Sequence, residues 1–346
     1  MFAFPRRLSN PPNPWAHEHL ELLGPPPPVS LEVYEERARS ILTRNDSPDL
    51  PFRWSLNPYR GCQHACAYCY ARPYHEHLGL GAGTDFDSKI FVKTNAPALL
   101  RAAFTRRSWK RERISFSGVT DPYQPLEASY RLTRACLELA RDFENPVGII
   151  TKSALVRRDA ELLAELEERA GAVVFVSLPL LDEDDARALE PHAATPRARL
   201  ETIRRLAAAG VPVGVAVAPL IPGLGDAQLA EVLERAREAG ATRAFTALLR
   251  LPGNVAPVFE ERLRAALPLR AEKILRALEA LRAPQGRRRN AFGQRFEGAG
   301  PRWQATVDLF ELQCRRLGYR SAEEMIDTAP RVRARPRQLE LFPEEA

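Results

Sequence analysis

The chain has 346 residues, 45% of them hydrophobic, and a formal net charge of +6 at pH 7. This length can bury a large core and can hold one large domain or two modest ones. No apolar run is long enough to span a bilayer, and the first residues lack the basic-then-apolar pattern of a signal peptide. We therefore expect a cytoplasmic protein with no membrane partner. Arginine supplies nearly all the positive charge, which permits nucleic-acid binding without establishing it.

The N-terminal part is rich in proline, with a run of prolines at 25–28. Such a composition favours an extended or irregular segment. Ser30 can then cap a short helix over residues 31–42, which would end before Pro48. Residues 52–56 are predicted to form a strand that leads directly into a loop with three cysteines.

Strand-like and helical segments alternate beyond the cysteines. A predicted strand at 90–93 and a predicted helix at 95–107 precede the repeating series. The predicted strands of the series are residues 113–117, 147–152, 172–178, 211–218 and 242–249. The further predicted helices are 125–143, 157–170, 195–210, 226–239, a long, interrupted helix at 257–282, and 301–317. Most of these strands are continuously apolar, which indicates a parallel sheet covered on both faces. A βα unit that repeats about every thirty residues gives an open doubly wound sheet or a barrel. With the strand before the cysteines, we count six such units.

Cys62, Cys66 and Cys69 have the spacing C-x3-C-x2-C. Three thiolates this close in sequence can bind one metal centre and leave a position on it open for a substrate or cofactor. Two alternatives are a Cys3His zinc site, with His64 or His75 as the fourth ligand, and three buried structural thiols. The sequence has no second, well-separated pair of the kind that usually completes a zinc site.

The spacing C-x3-C-x-aromatic-C, with Tyr68 as the aromatic residue, resembles the cluster motif of radical S-adenosylmethionine (SAM) enzymes. The resemblance implies that the three cysteines bind a [4Fe–4S] cluster and that SAM binds its fourth iron. It also implies reductive cleavage of SAM to methionine and a 5′-deoxyadenosyl radical, with electrons from a partner such as a flavodoxin or ferredoxin. The usual core of the superfamily is a partial (β/α)6 barrel, which agrees with the six predicted units.

The expected fold is therefore α/β, a partial (β/α)6 TIM-like barrel with an extra N-terminal segment and C-terminal helices. We expect four parts in chain order. They are a Pro-rich segment with a short helix at 1–50, the radical SAM core at 51–283, a basic linker and C-terminal helices at 284–330, and a loose tail at 331–346.

The working edge of a βα barrel is formed by the carboxyl ends of its strands, so residues that follow the strands should face the cysteine loop. Leu249 and Arg250 follow the sixth strand. By resemblance to the superfamily, further residues at this edge are candidates to bind SAM, and they are Tyr68, Ser117, Gly118, Thr120, Asp121, Lys152 and Ser177. The alternatives are a Pro-rich turn in which Asp121 caps a helix, and a solvated Lys152.

The cysteine loop combined with T-D-P and T-K-S motifs resembles spore photoproduct lyase and uncharacterised bacterial relatives of that family. In the lyase, the cysteine that returns a hydrogen atom lies three residues before the Asp of T-S-D-P, and Gly118 occupies that position here. The hydrogen-return step of the lyase is therefore not preserved at this residue, so the resemblance does not imply thymine-dimer repair. We expect Cys136 and Cys314 to be buried apolar side chains rather than replacement donors.

Two further segments suggest contacts with substrate. Residues 70–85 form an insert with His, Tyr and Gly that either closes over substrate or is a solvated loop. The basic segment that begins at Arg287 and ends at Phe296 combines arginines with aromatic residues, which suits phosphate contact and base stacking, or is a plain linker. The main hypothesis is a radical SAM enzyme with an unknown substrate. The alternatives are a nucleic-acid lyase or repair enzyme, and a non-catalytic nucleic-acid-binding protein with a structural metal.

Overall fold

The computed structural model describes residues 29–50, 52–282 and 292–320. The strands are β1 (Glu32–Glu36), β2 (Leu42–Arg44), β3 (Trp54–Leu56), β4 (Tyr59–Arg60), β5 (Lys89–Lys93), β6 (Ile114–Phe116), β7 (Val147–Thr151), β8 (Ala172–Ser177), β9 (Val213–Leu220) and β10 (Arg243–Leu248). The α-helices are α1 (Thr84–Ser88), α2 (Ala96–Phe104), α3 (Glu127–Tyr130), α4 (Leu132–Asp142), α5 (Ala160–Arg169), α6 (Glu183–Leu189), α7 (Pro196–Ala208), α8 (Leu229–Glu238), α9 (Val255–Ala266), α10 (Ala271–Arg282) and α11 (Pro301–Leu317). Short 3-10 helices lie at Arg72–Leu78, Ala154–Asp159 and Asp226–Gln228.

A seven-stranded sheet lies at the centre, in the order β10-β9-β8-β7-β6-β3-β2. Its six strands from β3 to β10 are parallel, and β2 pairs antiparallel with β3 at one edge. The predicted α/β class and the series of six parallel units are confirmed. In the part of the chain that is described, the sheet ends at β10 and β2.

Burial on both faces is clearest in β9, whereas buried and partly exposed residues alternate in β7. Val213, Val215, Ala216 and Val217 of β9 are each at most 1% exposed. Such continuous burial removes apolar surface from water at about 25 cal/mol per Å², which is the main favourable contribution to folding. The continuously apolar strands in the sequence therefore indicated the correct sheet type.

The predicted helix over residues 31–42 is wrong. Glu32–Glu36 instead forms β1, which pairs in parallel with β5 in a second, three-stranded sheet of order β1-β5-β4. Tyr34 stacks on Phe91 with 5.0 Å between ring centroids. The partner strand is distant in sequence, so its hydrogen bonds and ring contact override a local helical preference that is worth only tenths of a kcal/mol per residue, roughly.

Other predicted elements differ in their boundaries. The predicted helix 125–143 is interrupted at Arg131, whose φ of 52° ends α3 before α4 begins. The interrupted helix predicted over 257–282 is observed as α9 followed by α10, and 301–317 is confirmed as α11. Helix α6 was not predicted. The Pro-rich run, residues 287–291 and the tail lie outside the described residues, and none of the described helices is long and apolar enough to cross a membrane.

Residues that follow α10 return to the end of β10. The amide of Leu248 donates to the carbonyl of Phe296 at 2.9 Å. The buried guanidinium of Arg282 donates to the carbonyls of Leu249 and Glu297, at 2.7 and 3.0 Å. Arg282 thus joins the last strand of the sheet to the segment that precedes α11, beside the edge where the cysteine loop lies.

We expect Arg282→Met to lower the free energy of unfolding by about 2–4 kcal/mol, because several buried carbonyls lose a charged donor. Hydrogen exchange should also quicken at the amide of Leu248. Urea unfolding and exchange mass spectrometry measure the two effects. The control is Arg276→Met on the exposed face of the same helix, which should change neither. Equal stability of the two variants would contradict the structural role of Arg282.

Candidate active site

The cysteine loop, residues 61–70, follows β4 near the carboxyl end of β3, and it begins with a sharp turn. Gly61 has a φ of 76°, and a Cβ atom there would lie 2.9 Å from the carbonyl oxygen of Phe86 and from a ring carbon of His75. The amide of Cys62 donates to that same Phe86 carbonyl at 3.0 Å. Only glycine combines this backbone conformation with so close an approach.

Two arginines hold the backbone of the loop. Arg72 donates to the carbonyl of Cys66 from Nε and Nη2, at 3.2 and 2.7 Å, and Arg262 donates to the carbonyl of Ala65 at 2.8 Å. Both guanidinium groups also pair with the carboxylate of Asp87. Because all three charged groups are almost completely buried, each depends on the others for compensation. We call Arg72, Asp87 and Arg262 the arginine clamp.

The insert after the cysteines is packed structure, neither a solvated loop nor a free lid. Its 3-10 helix and α1 bury Arg72, His75 and Phe86, each at most 1% exposed. Its exposed residues include Tyr70 and Tyr74, with about half of each side chain exposed (49% and 52%). The insert therefore packs against the cysteine loop and exposes two tyrosine rings to solvent.

The three cysteines are free thiols, with Cys62 and Cys66 buried and Cys69 half-buried. Burial raises the pKa of each thiol, to about 12 for Cys66, and the cation of Lys152 partly opposes this at Cys66. Arg72 likewise opposes it at Cys69. Metal ligation requires thiolates, and these nearby cations favour that form. A donor set of three free thiols on one fixed loop suits a cluster that keeps one iron for another ligand.

The zinc alternative has little structural support. His64 faces Asp121, with 3.3 Å between its Nδ1 and a carboxylate oxygen, and Nε2 of His75 lies 2.9 Å from the carbonyl of Lys89. Among residues 29–50, 52–282 and 292–320, no three His, Cys, Asp or Glu side chains are arranged to hold a metal ion, and this includes the three loop cysteines, so the finding does not separate zinc from a cluster. A zinc ion needs four donors on one tetrahedral coordination sphere.

Asp121 connects the ends of β6 and β7 to the cysteine loop. Its carboxylate accepts hydrogen bonds from the Thr151 hydroxyl at 2.6 Å and from the amides of Lys152 and Tyr123 at 2.8 and 2.9 Å. Burial by itself raises the pKa of Asp121, but the contact with His64 and these bonds outweigh burial and lower it to about 2. Asp121 is thus an ionised anchor.

Thr120 also holds the loop. Its hydroxyl donates to the carbonyl of Gly61 at 2.6 Å, and the amide group of Gln124 bonds to both Gly61 and Thr120, at 3.2 and 2.9 Å. Gln63 completes this connection by donating its backbone amide to Gln124. The T-D-P motif therefore fixes the cysteine loop from the end of the neighbouring strand. The alternative prediction, a Pro-rich turn with Asp121 as a helix cap, did not include this role.

Gly118 lies at the same edge of the sheet and has free space around it. Its φ is 119°, and a Cβ atom built there would meet only Nδ2 of Asn57 within 4 Å, at 3.9 Å. The Ser117 hydroxyl is buried and lies 3.3 Å from that of Ser115. Glycine is required at 118 by the backbone conformation rather than by crowding.

Lys152, Ser177 and Tyr68 come together with a buried ion pair. The Lys152 ammonium donates to the Ser177 hydroxyl at 3.0 Å and lies 5.6 Å from the centre of the Tyr68 ring. Glu190 accepts a hydrogen bond from the Tyr68 hydroxyl and pairs with Arg199. Burial raises the pKa of Glu190 although Arg199 opposes this. Lys152 is therefore not a solvated lysine, since only 16% of its side chain is exposed.

Sequence reasoning missed four of these groups, which are Asp87, Arg262, Glu190 and Arg199. Arg262 and Arg199 lie on helices that carry many exposed charges, so no pattern distinguishes a buried arginine from a solvated one. Arg72 was part of the motif that follows the cysteines, but its burial was not foreseen.

Comparison with known proteins places this site in a family. The family model described as the radical SAM superfamily matches residues 56–236, which is more than half of the chain. The chain belongs to the radical SAM superfamily. As a radical SAM protein it is an enzyme, which excludes the non-catalytic alternative, and the predicted relationship to spore photoproduct lyase is confirmed at the level of fold.

Relatives and solved structures agree with this membership. An uncharacterized protein of Mycobacterium tuberculosis is 42% identical over 227 residues, which cover 65% of this chain and 67% of the relative. One of Methanocaldococcus jannaschii is 27% identical over 198 residues, covering 57% and 71%. A structure of spore photoproduct lyase complexed with dinucleoside spore photoproduct has a TM-score of 0.57 at 17% identity, covering 83% of this chain and 80% of that one. A lyase mutant with bound AdoMet and the same photoproduct has a TM-score of 0.50 at 18% identity, covering 68% and 67%.

The turn at Gly61 can be tested against a glycine with nearly the same backbone conformation. Gly79 has a φ of 73°, and nothing lies within 4 Å of a Cβ atom built on it. We expect Gly61→Ala to cost about 1–3 kcal/mol more stability than Gly79→Ala, since only the former pushes against the backbone of residue 86. Urea unfolding measures the difference, and equal losses would contradict the close approach at Gly61.

Proposed function

We propose that Cys62, Cys66 and Cys69 bind a [4Fe–4S] cluster and that SAM binds the iron without a protein ligand. The observation that carries this proposal is that three free cysteines share one loop, which the arginine clamp and Thr120 fix at the carboxyl edge of the parallel sheet. When bound, the two groups together supply a one-electron cleavage of SAM to methionine and a 5′-deoxyadenosyl radical that starts chemistry on a substrate.

Replacing any one of the three loop cysteines by alanine should remove most of the bound iron and abolish formation of 5′-deoxyadenosine. The experiment is anaerobic reconstitution with iron and sulfide, followed by dithionite and SAM, with iron analysis and product chromatography. Cys136→Ala and Cys314→Ala are the controls and should keep both properties. A loop variant with the iron content of the unsubstituted protein, or zinc as the metal of freshly purified protein, would contradict the proposal.

The chain's own groups at this edge divide into two kinds. Thr120 and Asp121 are occupied in holding the cysteine loop, so we propose that they position SAM through the backbone around Gly118. Lys152 and Ser177, beside the Tyr68 ring, are proposed to contact SAM through their side chains. The ammonium of Lys152 lies 3.9 Å from a carboxylate oxygen of Glu190, whose main partner is Arg199, so it can also receive the SAM carboxylate. The hydroxyls of Ser117 and Ser177 complete the candidate contacts.

Lys152→Met should weaken SAM binding by roughly 10- to 100-fold, which is the loss of one charge-assisted hydrogen bond. Equilibrium binding of SAM to the reconstituted protein measures this, with iron content determined in parallel. Lys110→Met, at an exposed position remote in sequence from the cysteine loop, is the matched control. If the Lys152 variant kept full affinity at full iron content, Lys152 would not be a SAM contact.

A second candidate is a nucleic-acid lyase or repair activity, which the similarity of fold to spore photoproduct lyase favours. Gly118 offers no sulfur at the position of the lyase's donor. Cys136 is completely buried within the hydrophobic core on α4, so its thiol is not accessible to a substrate and does not replace that donor. A lyase built on this chain would therefore need its hydrogen atom from another source.

We further propose an electron donor and a cellular compartment for the enzyme. A flavodoxin or ferredoxin would supply the electron, and a reducing cytoplasm would protect the free thiols. Residues 292–296 are the described part of the basic segment. Arg295 is paired there with Asp49 at 2.7 Å, so its charge is already engaged and does not support nucleic-acid binding. Arg287 and its neighbours lie outside the described residues.

A further inference from the structure

Arg250 is a half-buried cation at the working edge of the sheet. It lies two residues beyond β10, on the edge that also carries the cysteine loop. Its Nε atom is buried and has no hydrogen-bond partner in the part of the chain that is described. Within the same ranges, no carboxylate forms an ion pair with Arg250. A buried donor without a partner costs free energy, so this position is costly unless a ligand satisfies it.

The two exposed tyrosines belong to the insert, whose 3-10 helix contacts the residues that follow β10. The charge of Arg250 acts on both Tyr70 and Tyr74, and burial, reinforced by the charge of Arg295, lowers the pKa of Arg250 itself. The side chain of Asn254 donates to Glu76, which ties the 3-10 helix of the insert to the residues that follow β10. The cation and the two rings are therefore parts of one connected wall.

Arg295 differs from Arg250 in its ion pair, since the Nε atoms of both arginines are buried without a well-aligned hydrogen bond. Its guanidinium pairs with Asp49 and lies 5.1 and 4.9 Å from the centres of the Phe292 and Phe296 rings. Asp49 also accepts from the amide of Gly293. Both Asp49 oxygens are thus engaged in holding this segment, and the charge of Asp49 also acts on Arg250 without forming an ion pair with it.

We propose that Arg250, Tyr70 and Tyr74, together the anion subsite, bind a phosphate that is attached to a planar ring in the substrate. The guanidinium fork matches the oxygens of a phosphate. An exposed tyrosine can stack a planar ring, as bases stack on aromatic side chains in single-stranded nucleic acids. Tyr70 directly follows Cys69 in the chain, so a ligand held here lies beside the cysteine loop.

This inference names a substrate class for the proposed function. It rests on that function only because it treats the bound ligand as the substrate of the enzyme. Binding is therefore measured on the full-length reconstituted protein without reductant, with and without saturating SAM, so that no turnover is needed. The probes are uridine 5′-monophosphate, uridine, inorganic phosphate and benzoate. A pyrimidine is chosen so that the probe does not mimic the adenosine of SAM. Failure of the cluster to form would overturn the proposed function and leave this binding test intact.

Uridine 5′-monophosphate should bind roughly 10- to 100-fold more tightly than uridine, and Arg250→Gln should remove that difference. Tyr74→Leu should weaken the nucleotide by about 10-fold through lost stacking. Arg250→Lys, which keeps the charge, should retain part of the affinity and guards against a folding defect in the Gln variant. Arg276→Gln, an exposed arginine on α10, is the matched control and should bind like the unsubstituted protein.

Equal affinity of the unsubstituted protein and Arg250→Gln for the nucleotide would overturn the anion subsite. Equal binding of the nucleotide and uridine would do the same. Tighter binding of benzoate than of uridine 5′-monophosphate would overturn the assignment to phosphate in favour of a carboxylate.

Discussion

The arrangement depends on one buried ionic contact, in which the carboxylate of Asp87 sits between the guanidinium groups of Arg72 and Arg262. Neither arginine could be buried alone, because a desolvated charge without a partner costs several kcal/mol, roughly. Held together, they donate to consecutive carbonyls of the cysteine loop. The loop has little regular secondary structure of its own, so its shape is imposed by side chains from the insert and from α9.

The clamp also connects parts of the chain that are far apart in sequence. Arg72 and Asp87 belong to the insert after the cysteines, whereas Arg262 is on α9, beyond the last strand of the sheet. From the other side, Thr120 and Asp121 hold the loop through hydrogen bonds from the end of β6. The contacts that fix the loop therefore come from the beginning and from beyond the end of the strand series, so its observed shape requires the whole sheet to be folded.

Local patterns were sufficient for most of the sheet and for the cysteine loop. Continuous apolar runs such as residues 213–217, bounded by glycines and helical segments, indicated the parallel strands, and the cysteine spacing is recognisable from sequence alone. The β1 strand was missed because its pairing with β5 is non-local. Glu190 and Arg199 were missed because the burial of a charged side chain depends on how the helices pack against one another. Helix sequences rich in arginine and glutamate do not show which of these residues are buried.

The backbone at Gly118 limits how readily this scaffold could acquire the chemistry of its structural neighbours. A cysteine side chain would find room there, since the surrounding space is open, but φ = 119° lies outside the conformations that residues with a Cβ atom adopt at low energy. A single codon change would therefore install the thiol only together with a local rearrangement of the strand end. That end also carries Thr120 and Asp121, so gaining a hydrogen donor at this position would loosen the support of the cysteines themselves.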